Sequence, residues 1–279
     1  MGRALKRHVQ QELRWANKAG DLRGRKREAK PRGKHAIGRR KKPRARMPHR
    51  TRPAFEARKP IHITIRVDEV IGRLRTRDAY MAIREAAITV MKREDFRIVH
   101  LSIEGTHIHL LVEADHRDAL SKGMRAFEGS AAKHLNAAFS KTGGWWERKR
   151  AARFGHALPK RRKGRVFSDR YHETFIKNPK QARHALAYVL NNWRRHREDR
   201  GERARGWLID PFATGWAFDG WKERADTPFA WKLRETYKPI PVRMPKTWLL
   251  RTGWRMHGLV GVREVPGPQA GPREPALVD

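Results

Sequence analysis

Ile61-His62-Ile63-Thr64-Ile65-Arg66-Val67 alternates apolar and polar residues without a break, and all four of its apolar members are β-branched. A period of two marks a strand with one face in a core and the other polar. Moving outward, Arg77 to Glu94 sets Ala79, Ile83, Ala86, Ala87, Val90 and Met91 at helical spacing, which predicts a helix crossing back over the apolar face of that strand. Two further strands are expected over 97–103 and 106–113, with Glu104-Gly105 as a tight hairpin turn. Residues 115–139 return to helical spacing through Leu120, Met124, Phe127, Ala131 and Leu135. A basic, glycine-containing loop over 141–164 leads to an extended stretch near 165–176. Asn178-Pro179 then opens a last helix, as N-cap and first-turn proline, that runs to about Glu198. Strand, helix, strand, strand, helix, strand, helix is the order of an α+β, ferredoxin-like split βαβ fold, with an antiparallel sheet and one extra C-terminal helix.

This pattern occupies 59–200 and leaves two extensions. Residues 1–58 are basic, with runs such as Arg39-Arg40-Lys41-Lys42-Pro43-Arg44 and few large apolar side chains, so a disordered arm is expected. Residues 201–279 are rich in Trp, Arg and Pro with little periodicity. They read as an accessory tail that either packs on the domain or binds nucleic acid.

Sixty-five Lys and Arg against 29 Asp and Glu give a formal net charge of +36, which points to a polyanionic partner, because each phosphate contact releases condensed counterions. Ten Trp among so many cations suit base stacking. With no Cys, disulfides, thiolate metal sites and cysteine nucleophiles are all excluded. No apolar run approaches 18 residues and no signal-peptide pattern opens the chain, so the expected setting is cytoplasmic and nucleoid-associated, with no membrane partner. No Gly-x-x-x-x-Gly-Lys loop is present, and no nucleotide cofactor is expected.

His107-Ile108-His109 falls on the strand after the hairpin, where alternation turns both imidazoles to one face. Two imidazoles side by side on a rigid strand can chelate one divalent ion; a solvated strand face is the other reading of the same pattern. On the last helix, Gln181, His184, Tyr188 and Asn192 form one stripe, next to an apolar stripe of Ala182, Leu186, Val189 and Trp193 that should face the sheet. Tyr188 and Asn192 are thus expected at the border of the buried face. Around them, His62 and His184 stand either as supporting side chains behind the site or as solvated residues. Glu113 shares the His107/His109 face, as a further ligand or as an edge carboxylate balancing arginines. Arg165, Arg170 and Lys177 are candidate phosphate contacts by charge, and Trp145-Trp146 a stacking pair or a loop anchor.

Pro60-Ile61-His62-Ile63-Thr64, His107-Ile108-His109-Leu110-Leu111 and Tyr188-Val189-Leu190-Asn191-Asn192, in that order, resemble the single-tyrosine HUH transposases, and among them the REP-associated tyrosine transposases related to insertion-sequence-200-like enzymes. The resemblance spans 59–200. It departs from the family's usual pattern at Trp193, where a proline often stands, and at Thr106, where an asparagine often stands. The resemblance implies Tyr188 as the nucleophile of single-stranded or hairpin DNA cleavage, and a Mg²⁺ or Mn²⁺ ion held by His107, His109 and Asn192. It also implies a 5′-phosphotyrosine intermediate that is rejoined during transposition, and a homodimer. A phenol ordinarily ionises near pH 10, so cations around it must favour its phenolate. The competing reading is a non-catalytic DNA- or RNA-binding protein with a ferredoxin-like sheet; a pure binder has no need of a tyrosine and histidines converging. Relaxases and replication initiators share the chemistry, but the chain is short and has no helicase motif.

Overall fold

The computed structural model describes residues 52, 54–139, 152–155, 162–201, 204, 206–224 and 237–267. The elements follow the expected order: β1 (Ile61–Arg66), α1 (Arg77–Val90), β2 (Phe96–Ile103), β3 (His107–Ala114), α2 (Arg117–Ala138), β4 (His172–Phe175), α3 (Pro179–Arg195) and a short α4 (Trp248–Arg251). The four strands form one antiparallel sheet in the order β2-β3-β1-β4, the ferredoxin-like arrangement. Thr76 caps α1 through its hydroxyl, which accepts from Ala79 N at 3.2 Å, and Asn178 caps α3 by accepting from Gln181 N at 2.9 Å. The expected long last strand shrinks to four residues. Only Phe167 bridges to Val67 before the chain bends away at Ser168, so the ladder restarts at His172.

One face of the sheet carries Ile61, Ile63, Ile65, Ile108, Leu110 and Val112 and packs under α1 and α2. Gly123 lets α2 lie close on β2: a Cβ there would sit 2.3 Å from Phe96 Cγ. Across β2 the register slips by one residue between Ile98 and His100, and Val99 joins Leu111 in the core of the second face. There the apolar stripe Ala182, Leu186 and Val189 of α3 packs with Phe218, Trp221, Leu249, Leu250, Trp254, Val260 and Val262.

The compact unit therefore runs from Arg52 to Pro266, wider at both ends than the 59–200 expected from periodicity. At its start, Arg52 pairs with Glu173 at 2.6 Å and lies over the Tyr171 ring, while Phe55 meets Phe175 edge-on. The described part of the Trp-rich stretch packs, with Trp221 and Trp254 among the largest fully buried side chains. The basic arm up to Thr51, Trp145-Trp146 and the end of the chain after Gly267 lie outside the described residues.

Candidate active site

The second face of the sheet is where the polar alternate residues of β1 and β3 emerge. Thr64 of β1 sits opposite His109 of β3, and Arg66 opposite His107. His109 is buried, and its Nδ1 lies 3.2 Å from both His62 Nε2 and Thr64 Oγ1. Its ring stacks on His62 with centroids 5.1 Å apart and meets His107 edge-on at 4.7 Å. From α3, Tyr188 stands edge-on to both His109, at 5.0 Å, and His62, at 5.7 Å. Strand alternation brings the imidazoles together, and the apolar stripe of α3, buried against the same sheet face, carries Tyr188 to them.

Burial dominates the electrostatics of this cluster. Loss of solvent, then the neighbouring His172 and His107, pushes His62 down to about 3. Burial, then His196 and Arg66, pushes His107 to about 4. His109 falls well below the ordinary imidazole value for the same first reason, followed by His107, His62 and His196. The rings are therefore neutral at physiological pH, the form in which imidazole binds metals.

Among the buried polar atoms of this region that have no hydrogen-bond partner among the described residues are His109 Nε2 and both Nδ2 and Oδ1 of Asn192. Asn192 is 1% exposed, so the border position expected for it is in fact a submerged one. It follows Trp193 and Leu190 into the interface because α3 is covered on that side by the C-terminal segment. With His109 Nδ1 engaged by Thr64 and His62, the ring presents Nε2, the arrangement typical of a metal-binding histidine whose other nitrogen is held. Two imidazole nitrogens and an amide oxygen fit a divalent ion of mixed nitrogen and oxygen preference. Among the described residues no three His, Asp or Glu side chains form a group able to hold an ion, so such a site depends on the Asn192 amide.

The other expected residues are distributed as follows. His62 is buried inside the cluster and not on a solvated face. His184 has Arg183, Lys180, Glu264 and His257 as its charged neighbours, which belong to α3 and the C-terminal segment and not to the histidine cluster. Gln181 closes the start of α3, its side-chain oxygen accepting from Lys177 N at 2.8 Å. Glu113 accepts from Lys246 N and Thr247 N and from the Thr247 hydroxyl, and lies 3.7 Å from Arg97, so it fastens the segment leading into α4. Arg165, Arg170 and Lys177 are exposed; Arg165 lies 3.7 Å from Asp68 and Lys177 pairs with Glu56 at 2.7 Å.

Two residues escaped the sequence reading. His196, the residue that ends α3, has its ring 6.1 Å from that of His107. The signal was available, since His196 continues the Tyr188, Asn192 spacing by one more turn. Glu104 is the other. The hairpin turn sits one residue later than expected: Ile103 and Ile108 are the last ladder pair, and just beyond it Glu104 N donates to His107 O at 2.9 Å, so Gly105-Thr106 make the turn and Glu104 stands across from His107. Directly opposed residues share a face, so this carboxylate belongs to the histidine side of the sheet. Burial and Asp210 push it up to about 8, against Arg75, with Glu198 adding to the rise and the Asn192 amide opposing it.

Residues 60–152 match the family model described as "Transposase IS200 like". Over these residues, about a third of the chain, it is similar to the IS200-like transposases. The transposase match contains the histidine pair and ends before α3, so Tyr188 and Asn192 lie outside it. No curated protein matches the chain. Among solved structures, one described as a REP-associated tyrosine transposase bound to a REP hairpin is 18% identical, with a TM-score of 0.42, covering 71% of this chain and 99% of that one. A candidate transposase of Deinococcus radiodurans R1 is 12% identical, with a TM-score of 0.31, covering 54% of this chain and 97% of that one. Among the described residues, no helix is long and apolar enough to cross a membrane.

Proposed function

We propose that this protein is a transposase that cuts and rejoins single-stranded DNA, hairpin-forming strands included, through a covalent bond between Tyr188 and a 5′ phosphate. The observation that carries the reading is the seating of the Tyr188 ring against His109 and His62, with His109 Nε2 and, one turn along α3, the Asn192 amide buried and without hydrogen-bond partners among the described residues. A net charge of +36 supports a nucleic-acid substrate, and the family match supports transposition as its setting.

A Mg²⁺ or Mn²⁺ ion held by His107, His109 and Asn192 would stabilise negative charge on the non-bridging oxygens of the scissile phosphate. Tyr188 Oη gives up its proton and forms the bond to phosphorus; the bond from phosphorus to the 3′ oxygen breaks, and that oxygen leaves as a 3′-hydroxyl after gaining a proton. The tyrosyl phosphodiester keeps the bond energy of the original linkage, so attack by a 3′-hydroxyl reverses the step without a nucleotide cofactor. Thr64 and His62 fix the ring of His109, and Arg165, Arg170 and Lys177 are exposed cations flanking β4 for holding the strand.

The test is to incubate the full chain with labelled hairpin libraries, with and without Mg²⁺, and resolve the products on a denaturing gel. A metal-dependent protein–DNA adduct is expected. Tight binding across the library with no adduct would overturn the reading in favour of a non-catalytic binder.

A further inference from the structure

Glu104 is 1% exposed, and neither carboxylate oxygen has a hydrogen-bond partner among the described residues. Its obvious cationic neighbour is already committed: Arg75 binds Asp210 through two hydrogen bonds, at 2.7 and 2.9 Å, and donates a third at 2.9 Å to Ile103 O. The remaining charged groups acting on Glu104, Asp210 and Glu198, have its own sign. A buried acceptor kept in such surroundings costs stability that an apolar residue would not. The Asn192 amide also acts on the carboxylate, and favourably, although neither group closes a hydrogen bond of ordinary geometry.

We infer that Glu104 is a positioning residue for Asn192: its carboxyl oxygen accepts the Asn192 Nδ2–H and thereby turns Oδ1 toward His107 and His109. The inference rests on the metal reading above. A side-chain amide offers either its oxygen or its nitrogen unless something holds one of them. A divalent ion takes the oxygen, and an acceptor behind the nitrogen selects that orientation before the ion arrives. The hairpin register supplies the placement, since Glu104 is the cross-strand partner of His107 on the histidine face. The acceptor works in either charge state, because a protonated carboxyl keeps its carbonyl oxygen.

The experiment is a double-mutant cycle on Mn²⁺ affinity, measured on the full chain without DNA by titration calorimetry or by the loss of the free-ion paramagnetic resonance signal. Glu104→Leu should weaken Mn²⁺ binding by about 10–100-fold. Glu104→Gln, whose amide oxygen can accept the same hydrogen bond, should recover most of that loss. Asn192→Ala should weaken binding on its own, and adding Glu104→Leu to it should cost nothing more, because the second residue acts through the first. The ion-free melting temperature of Glu104→Leu should not fall, which separates positioning from support of the fold. Additive losses, unchanged affinity in Glu104→Leu, or failure of Glu104→Gln to recover binding would each overturn the inference while leaving the metal site standing. Wild-type protein that binds no Mn²⁺, or that binds it unchanged in His107→Ala, would overturn both.

Discussion

The Tyr188 ring stands at 81° to the ring of His109, with 5.0 Å between centroids, so the candidate nucleophile is seated against the candidate metal ligand itself. Replacing Tyr188 by Phe keeps that edge-to-face packing and removes only the hydroxyl. Adduct formation on a denaturing gel should disappear, while the dissociation constant for hairpin DNA should stay within about twofold. A residual adduct would move the nucleophile elsewhere.

His62 and Thr64 both approach Nδ1 of His109, and His62 also stacks on its ring. Removing a group that orients a metal-binding imidazole typically costs about 10–100-fold in metal affinity or activity. His62→Ala should therefore raise the Mg²⁺ concentration needed for half-maximal cleavage, more than Thr64→Ala does, because it loses the stacking contact as well. The check is a cleavage series against metal concentration.

The sheet, its order and the sheet-facing stripe of α3 were legible because periods of 2 and 3.6 survive wherever one face is buried and the other is not. The histidine pair and Tyr188 were legible for the same reason: each sits at a position whose direction the period dictates. Glu104 was not. A Glu-Gly pair between two strands reads as a turn, and a shift of one residue in the turn changes a solvent-facing loop carboxylate into a buried one on the opposing strand. The Trp-rich stretch was illegible for a different reason. Trp221 and Trp254 are held in short turns and irregular chain, where burial leaves no repeating pattern in the sequence.

Acid should unfold the protein through its buried imidazoles. His62, His100, His107 and His109 all have values depressed by burial, His100 to about 4. Below pH 6.5 the unfolded chain binds protons that the folded one does not, so stability falls as pH falls; the shares of His100 and His107 level off below about 4, while those of His62, at about 3, and of His109 continue lower. His100 lies apart from Tyr188, bonded to Thr214 Oγ1 at 3.2 Å, which makes it the cleanest probe. Its share is at most about 3 kcal/mol. Denaturant unfolding of His100→Gln at pH 7 and pH 4.5 should show a smaller difference between the two than the wild type does.

Salt should weaken binding to single-stranded DNA steeply, with the logarithm of affinity falling by about 0.7 per phosphate contact for each tenfold rise in salt. Arg170→Ala should reduce that slope by about one such contact if Arg170 touches a phosphate. Lys177→Ala should change it less, because its ammonium is already shared with Glu56 at 2.7 Å. Fluorescence anisotropy across a salt series measures both, and equal slopes in all three proteins would remove these cations from the DNA path.

Trp254 is 1% exposed and packs against Phe218 with ring centroids 5.2 Å apart, inside the core that α3 shares with the C-terminal segment. Because that segment is part of the fold, Trp254→Ala should cost about 3–5 kcal/mol of unfolding free energy, the usual range for a buried Trp. Gly220 offers an independent probe, because a Cβ there would lie 2.1 Å from the Trp254 ring and Gly220→Ala must displace it. Overpacking of that kind costs about 1–3 kcal/mol. Since Asn192 and Tyr188 ride on α3, both variants should also lower Mn²⁺ affinity and cleavage at temperatures where they remain folded. Urea melts that leave Trp254→Ala as stable as the wild type would detach the C-terminal segment from the core and, with it, from the positioning of the site.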